Sequence, residues 1–348
     1  MKKQNILALA LKPAIRVTES VGIGIVLMLT AAVIAMITPS AASASSPCPG
    51  PTATRLVTGL EGAMGSTVGP DGALYVTEGA AGRISRVDPQ TGEKTTFASG
   101  LPPAVIGIGG AIDVAFIDNI AYVLVTLVSD LLLPPSGDID GIYRVDGPDS
   151  FTVVAAIGQF NLDNPPIIPF PYFIHTGLQF KLETYRGGFL VSDSHLNRVL
   201  RVALDGEISV LIDFDNIVPT GLEVRGSTVY MAAAGPDPHL PQTGKVVSFD
   251  PRSPTATEVA SDVPFLLDVE FGGGRLYALS HGTVDPNIDP SNAVPYTGAL
   301  VKVNEDGTFT VIMDALDRPT SLEFIGNTAY FVTLTGEIWK IEGVSCPH

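Results

Sequence analysis

From residue 54 onward, apolar positions alternate with polar ones in runs of four to six residues, and clusters of Gly, Pro, Asp and Asn separate the runs. Period-two alternation between turn-forming clusters predicts half-buried antiparallel strands. Residues 69–101 show the unit most clearly. The turn Gly69-Pro70-Asp71-Gly72 precedes a strand over 73–77, and a Gly-rich loop leads to a second strand over 84–88. The turn 89–92 then leads to a third strand over 94–98.

Two columns of this unit recur in phase. One reads Leu74-Tyr75-Val76, Ala121-Tyr122-Val123, Phe189-Leu190-Val191, Val229-Tyr230-Met231, Leu276-Tyr277-Ala278 and Ala329-Tyr330-Phe331. The other reads Ile84-Ser85-Arg86-Val87, Ile142-Tyr143-Arg144-Val145, Val199-Leu200-Arg201-Val202, Val246-Val247-Ser248-Phe249, Leu300-Val301-Lys302-Val303 and Ile338-Trp339-Lys340-Ile341. Six copies at roughly the spacing of propeller blades predict an all-β, six-bladed β-propeller of four-stranded antiparallel blades. A strand at 54–57 is expected to complete the last blade and close the ring.

With strands named A to D along each blade, A–B and C–D connections leave one end of the ring, and B–C and D–A connections the other. The short turns at 69–72, 205–206, 272–274 and 306–307 are A–B or C–D. The long insertions at 127–140, 157–175, 235–244 and 281–297 are B–C or D–A. One end is therefore bare and the other decorated, and long loops on a rigid scaffold are where binding usually resides.

Composition agrees with many turns and few helices: 36 Gly and 28 Pro in 348 residues, with 16% charged. The first 44 residues differ. Lys2, Lys3, Lys12 and Arg16 precede an apolar run over 21–37, and Ala42-Ser43-Ala44 offers small residues at a cleavage site. This reads as a secretory signal over 1–44, with an uncleaved membrane anchor as the alternative. A linker over 45–53, the propeller over 54–343 and a tail over 344–348 complete the expected organisation.

The net charge of −16 becomes −19 once the leader's four basic residues and Glu19 are removed. So acidic a body repels phosphate backbones and anionic headgroups, which argues against nucleic-acid binding and against membrane contact other than through the leader. The two cysteines, Cys48 and Cys346, flank the first and last predicted strands. In an exported chain they are expected to form a disulfide joining the ends of the ring, adding on the order of 5 kcal/mol in the chain-entropy picture.

Candidate chemistry is sparse. The fourth position of strand A reads Thr67, Ala115, Gln179, Glu223, Glu270 and Glu323 from blade one to six. Strand A lines the channel, so Glu223, Glu270 and Glu323 are the candidate ligands for Ca²⁺ or Mg²⁺, hard cations that take oxygen donors. Asp113 and Asp268, at the second position, and His175 and His281, beside the long loops, are candidates on the ligand face. No zinc-type spacing and no Gly-x-Ser-x-Gly elbow occurs.

The turn and strand Gly69-Pro70-Asp71-Gly72-Ala73-Leu74-Tyr75-Val76, the segment Gly82-Arg83-Ile84-Ser85-Arg86-Val87-Asp88, and the strands opening Pro219-Thr220-Gly221-Leu222 and Pro319-Thr320-Ser321-Leu322 carry a family resemblance. So does the segment from Ser192 through Asp193-Ser194-His195-Leu196-Asn197-Arg198 to Val202. The chain resembles the ScyD/ScyE family of bacteria, within the wider pattern of NHL-like six-bladed propellers. It departs where Asp-Gly turns become Gly272-Gly273-Gly274 and Gly326-Asn327. The resemblance implies fold and export, and no defined activity. The expectation is a secreted, extracytoplasmic, non-catalytic propeller that binds a small molecule, glycan or protein on its long-loop face. A divalent-metal-dependent hydrolase or lactonase using the channel carboxylates is the alternative.

Overall fold

A computed structural model describes residues 50–166, 174–285, 287 and 289–344. The leader, Cys48 and Cys346 lie outside them. The described chain forms six four-stranded antiparallel sheets arranged as a six-bladed propeller, with each strand A packed against the strands A on either side.

Blade 1 comprises Ala63–Val68, Leu74–Glu78, Arg83–Val87 and Lys94–Ser99, and blade 2 Gly110–Ile117, Ile120–Thr126, Gly141–Gly147 and Ser150–Ala155. Blade 3 comprises Gln179–Tyr185, Gly188–Asp193, Arg198–Val202 and Ile208–Asp213, and blade 4 Pro219–Arg225, Thr228–Ala233, Gly244–Asp250 and Ser253–Val263. Blade 5 is Leu266–Gly272, Arg275–Ser280, Gly298–Val303 and Phe309–Leu316. Blade 6 takes Pro319–Ile325, Thr328–Thr333 and Ile338–Glu342 from the end of the chain and Thr52–Val57 from its beginning. The closing strand runs antiparallel to Ile338–Glu342, with Ala53 opposite Ile341 and an Arg55–Glu337 ion pair at 3.0 Å. The N-terminal strand thus becomes the outer strand of blade 6 and holds the two ends of the ring together.

Turn chemistry separates the two ends. Five of the six A–B reversals are two residues long, and that of blade 1 spans 69–73. Asp118-Asn119, Arg186-Gly187 and Gly273-Gly274 have positive φ at both positions, the backbone that matches strand twist in a tight hairpin. All the longer excursions leave the opposite end. They include the short helix Ile157–Asp163 and a two-stranded flap, Val284–Asp285 with Asp289–Ala293, inside the B–C insertion of blade 5.

The tyrosine column of the sequence proves to be an inter-blade contact. Tyr75 meets Phe116 of the next blade edge-on at 4.8 Å, Tyr230 meets Phe271 at 5.2 Å, and Tyr277 meets Phe324 at 4.9 Å. These phenylalanines follow Ala115, Glu270 and Glu323 in strand A. Alternation along a strand sends successive side chains to opposite faces, so the phenylalanines fill the space between blades and the residues before them face the channel.

Register corrects one expectation. Tyr75, Tyr122, Leu190, Tyr230, Tyr277 and Tyr330 on strand B lie opposite Thr67, Ala115, Glu183, Glu223, Glu270 and Glu323 on strand A. The fourth-position residue of blade 3 is therefore Glu183, not Gln179. Thr176-Gly177-Leu178 mimics Thr220-Gly221-Leu222 in sequence but precedes strand A, which begins at Gln179. Gln179 instead exchanges hydrogen bonds with Thr126 and donates to Asp193 at 3.0 Å.

Candidate functional site: an acid cavity on the channel axis

Each strand A carries a register shift near its start: between Ala63 and Ser66, Ala111 and Asp113, Gln179 and Leu182, Pro219 and Leu222, Leu266 and Asp268, and Pro319 and Ser321. Such bulges bend a strand and re-aim its side chains. Here they turn a layer of residues at the second position toward the axis. Threonines pin the bulges between blades: the Thr220 hydroxyl donates to Leu266 O at 2.9 Å and that of Thr320 to Met64 O at 2.7 Å. The Pro-Thr motif is thus a stitch between neighbouring blades.

The same layer repeats every three blades. Asp113 of blade 2 accepts the Leu182 N–H of blade 3 at 2.8 Å, and Asp268 of blade 5 accepts the Leu322 N–H of blade 6 at 2.9 Å. Gly65 and Gly221, one blade earlier, make room. A Cβ on Gly65 would stand 2.3 Å from Asp113 Oδ1, and one on Gly221 2.5 Å from Asp268 Oδ1. The repeat breaks at the next residue, Lys181 in blade 3 and Ser321 in blade 6. Lys181 spans the axis to place Nζ 3.2 Å from Asp268 Oδ2, with both side chains buried. Ser321 Oγ lies 2.8 Å from Ser66 Oγ and accepts the Ser66 N–H.

Beyond this layer a cavity of about 240 Å³ is lined by Glu183, Glu223, Glu270 and Glu323 from blades 3 to 6. Thr67, Val68, Val114, Ala115 and Phe116 line it from blades 1 and 2, and Lys181 and Ser66 from the layer below. In every strand A the residue before the fourth position is buried and the residue after it, nearer the A–B turn, is partly exposed. The cavity therefore opens at the short-turn end, opposite the long loops.

Electrostatics in the cavity are severe. Burial, and then repulsion from Asp268, Asp113 and Glu223, push the Glu323 carboxyl up to about 8 despite the pull of Lys181. Burial and Asp268 push Glu223 up to about 7. Glu183 is raised well above the ordinary value by burial and Glu223, and Glu270 by burial, Glu323 and Glu223. Asp113, buried with Oδ1 lacking a hydrogen-bond partner, rises to about 7. Lys181 is desolvated, yet Asp268, Asp113, Glu323 and Glu270 hold its ammonium well above its ordinary value. Burial and mutual repulsion thus favour the protonated form of all four glutamates around one ammonium.

The metal expectation meets this geometry only in part. Glu223, Glu270 and Glu323 line one cavity. Among the described residues, however, no group of three or more His, Cys, Asp or Glu side chains is arranged to hold a metal ion. Of the ligand-face candidates, Asp113 and Asp268 are only 1% exposed and act within the channel, and His175 is exposed. His281 is buried, with Nδ1 donating to Pro319 O at 3.0 Å and Nε2 2.8 Å from the Asn292 side-chain amide.

Residues that sequence reasoning missed join His281 at the long-loop end. His239 stacks on Phe265 with ring centroids 4.1 Å apart, and Phe265 meets His281 edge-on at 5.2 Å. His195, His239 and His281 come from the B–C loops of blades 3, 4 and 5. Burial lowers the basicity of all three, and that of His239 to about 4. Phe265 and Leu267 pack there with Val218, Ala234 and Val284.

The fold and channel define the class: a six-bladed β-propeller with a polar axis. Compared by sequence, the chain matches no family model and no curated protein. Solved structures share the fold. Virginiamycin B lyase from Staphylococcus aureus superposes with a TM-score of 0.51 at 13% identity, over 84% of this chain and 98% of that one. A gluconolactonase from Xanthomonas campestris gives 0.57 at 12% identity, over 84% and 89%. The PQQ-bound aldose sugar dehydrogenase from Streptomyces coelicolor gives 0.55 at 14% identity, over 85% and 99%. At such identities the likeness is one of fold.

Proposed function

We propose that this chain acts outside the cytoplasm as a binding propeller, taking a small molecule, glycan or protein on its long-loop face without performing chemistry. One observation carries the reading: the loops of that end present large apolar side chains to solvent. Leu131 is 83% exposed, Leu132 63%, Leu240 55% and Tyr296 67%, against 41% for Ile120 and Leu204 at the short-turn end, and large exposed apolar side chains mark contact surfaces. Behind them, His239 stacks on Phe265 and adds ring area to that end.

The same face argues against catalysis. Both ring nitrogens of His281 are engaged, and the Ser194 hydroxyl donates to Pro219 O instead of to a histidine. Ser194 and His281 thus do not pair as nucleophile and base.

The second reading, a Ca²⁺- or Mg²⁺-dependent hydrolase or lactonase, draws support from the shared carboxylate cavity and from a gluconolactonase among the fold neighbours. Glu223, Glu270 and Glu323 would hold the ion, which would polarise a bound carbonyl. The lack, among the described residues, of three ligands arranged for a metal and the ammonium already present favour the first reading.

A variant carrying Leu131→Ser, Leu132→Ser, Leu240→Ser and Tyr296→Ser tests it on a glycan array and against fractionated cell-surface material. The account expects the bound species to be lost with the melting temperature unchanged. Binding retained by that variant, or a stoichiometric divalent ion lost on Gln substitution of the three glutamates, would overturn it.

A further inference from the structure

We propose that the short-turn rim of blades 3 to 5 is a docking track for an acidic polysaccharide, separate from the long-loop face and held by cations that lack acidic partners. In blades 1, 2 and 6 the cation of the strand C column pairs with an acid. Arg86 meets Asp71 at 2.7 Å, Arg144 meets Asp146 at 2.6 Å and Lys340 meets Glu342 at 3.1 Å. Arg201 in blade 3 and Lys302 in blade 5 hold the same position, opposite Leu190 and Tyr277. Among the described residues no acid pairs with either, and Asp205 and Glu207 on the C–D turn beside Arg201 stay outside ion-pair distance.

Two more arginines meet Arg201 at the junction of blades 3 and 4. Its guanidinium carbon lies 5.8 Å from the centre of the Tyr185 ring, and that of Arg186, in the A–B turn, 5.3 Å. Arg252, on the C–D turn of blade 4, approaches the same ring and pairs with Asp250. Arg252, and then Arg186 from across the junction, hold the Asp250 carboxyl down at about 2. One carboxylate thus stands against three exposed guanidiniums. A guanidinium lying on an aromatic ring keeps its N–H edge free for the paired oxygens of a carboxylate or sulfate. The row continues into blade 5. Arg225 lies over Phe271 at 4.2 Å and donates to Gly274 O at 3.4 Å, beside the exposed Arg275.

The backbone at Arg186 points the same way. It stands at φ +50 as the first residue of a two-residue reversal, where blades 2, 4, 5 and 6 carry Asp118, Gly226, Gly273 and Gly326. Left-handed backbone disfavours a long side chain, and residues held there gather at functional sites. Length and charge then fix the partner. Cations on three successive blades engage a chain rather than a single ion. A protein with a net charge of −16 repels a strand as densely charged as nucleic acid, and opposes a polymer with one charge every sugar or two far less.

Interferometry of the full chain over polygalacturonate and dextran sulfate tests this, with uncharged dextran alongside. The expected result is saturable binding to at least one of the acidic chains, falling as salt rises, and none to dextran. Arg186→Ala/Arg201→Ala should weaken it about tenfold or more. Arg144→Ala, in the same column but already neutralised by Asp146, and Leu240→Ser, on the other face, should leave it unchanged. Arg186→Asn, which supplies a residue that such a turn prefers, should weaken binding without lowering the melting temperature. The proposal is overturned if neither acidic chain binds, if dextran binds equally, or if Arg144→Ala costs as much as the double variant. Single-stranded DNA binding as tightly as the acidic chains would overturn it too.

Discussion

Replacing Lys181 with Met is expected to lower the unfolding free energy by about 3–5 kcal/mol at pH 8, the cost of breaking a buried ion pair from one side, and by much less at pH 5. Lys181 is the one cation lining a cavity that also holds Glu183, Glu223, Glu270 and Glu323, and its Nζ closes the pair with Asp268. Without it, Asp268 keeps only the amides of Leu322 and Val269. The glutamates then lose the charge that opposes their mutual repulsion.

The pH dependence follows from the sign of the shifts. Glu223 and Glu323 are raised from 4.5 to about 7 and about 8, so the native state binds more protons than the unfolded chain between those values. Stability is then fully present below about pH 4.5 and is lost as the pH rises through 7 to 8. Protonated carboxyls need no counter-charge, which is why acid should rescue the variant. Denaturant unfolding of both proteins at the two pH values measures this, and an equal loss at pH 5 and pH 8 would contradict it.

Arg198→Ala is the second large effect, again about 3–5 kcal/mol. Arg198 is among the largest fully buried side chains, and its guanidinium ties strands B and C of blade 3 to the helix Ile157–Asp163. Nε donates to Asp193 at 3.1 Å, Nη2 to Asn161 of the helix at 2.7 Å, and Nη1 to Asn164 O at 2.9 Å. Asp193 also accepts from Asn161 and Gln179, yet burial still pushes its carboxyl up to about 6. Truncating the arginine strands that carboxyl. The double variant Asp193→Asn/Arg198→Ala should therefore lose less stability than Arg198→Ala alone, because no buried charge is abandoned. Equal losses in urea unfolding would show that the arginine acts by packing only.

Much of this architecture is legible in the chain. The tyrosine column and the strand C column mark blade phase because each serves one repeated contact, between blades or within a sheet. Loop lengths reveal which end is decorated because strand parity leaves no other exit. The failures have equally physical origins. Blade 3 carries Leu190 where five blades carry Tyr, so its register lacks the aromatic marker. The Thr176-Gly177-Leu178 look-alike then draws Gln179 into the place of Glu183. Counting seven residues back from strand B, as from Tyr230 to Glu223, Tyr277 to Glu270 and Tyr330 to Glu323, identifies Glu183.

Lys181 escapes notice because a lysine in an alternating strand reads as a solvent-facing residue. Only the bulge, which has no sequence signature apart from Gly65 and Gly221, turns it inward. His239 is a single histidine in a long loop, and nothing but the ring brings it to Phe265. Nor does loop length locate the cavity. That depends on side-chain volume along the axis, with Phe265 and Leu267 packed at one end and Ala115 and Thr67 leaving space toward the other.

The channel as a set of carboxyls kept protonated near neutrality around a single ammonium is most directly tested by a ¹³C NMR titration of the glutamate side-chain carboxyls. Glu223 and Glu323 should titrate at about 7 and about 8, and both midpoints should move higher in Lys181→Met. If every glutamate titrates near the ordinary value of 4.5 and Lys181→Met changes none of them, the acid cavity described here is not the one the protein contains.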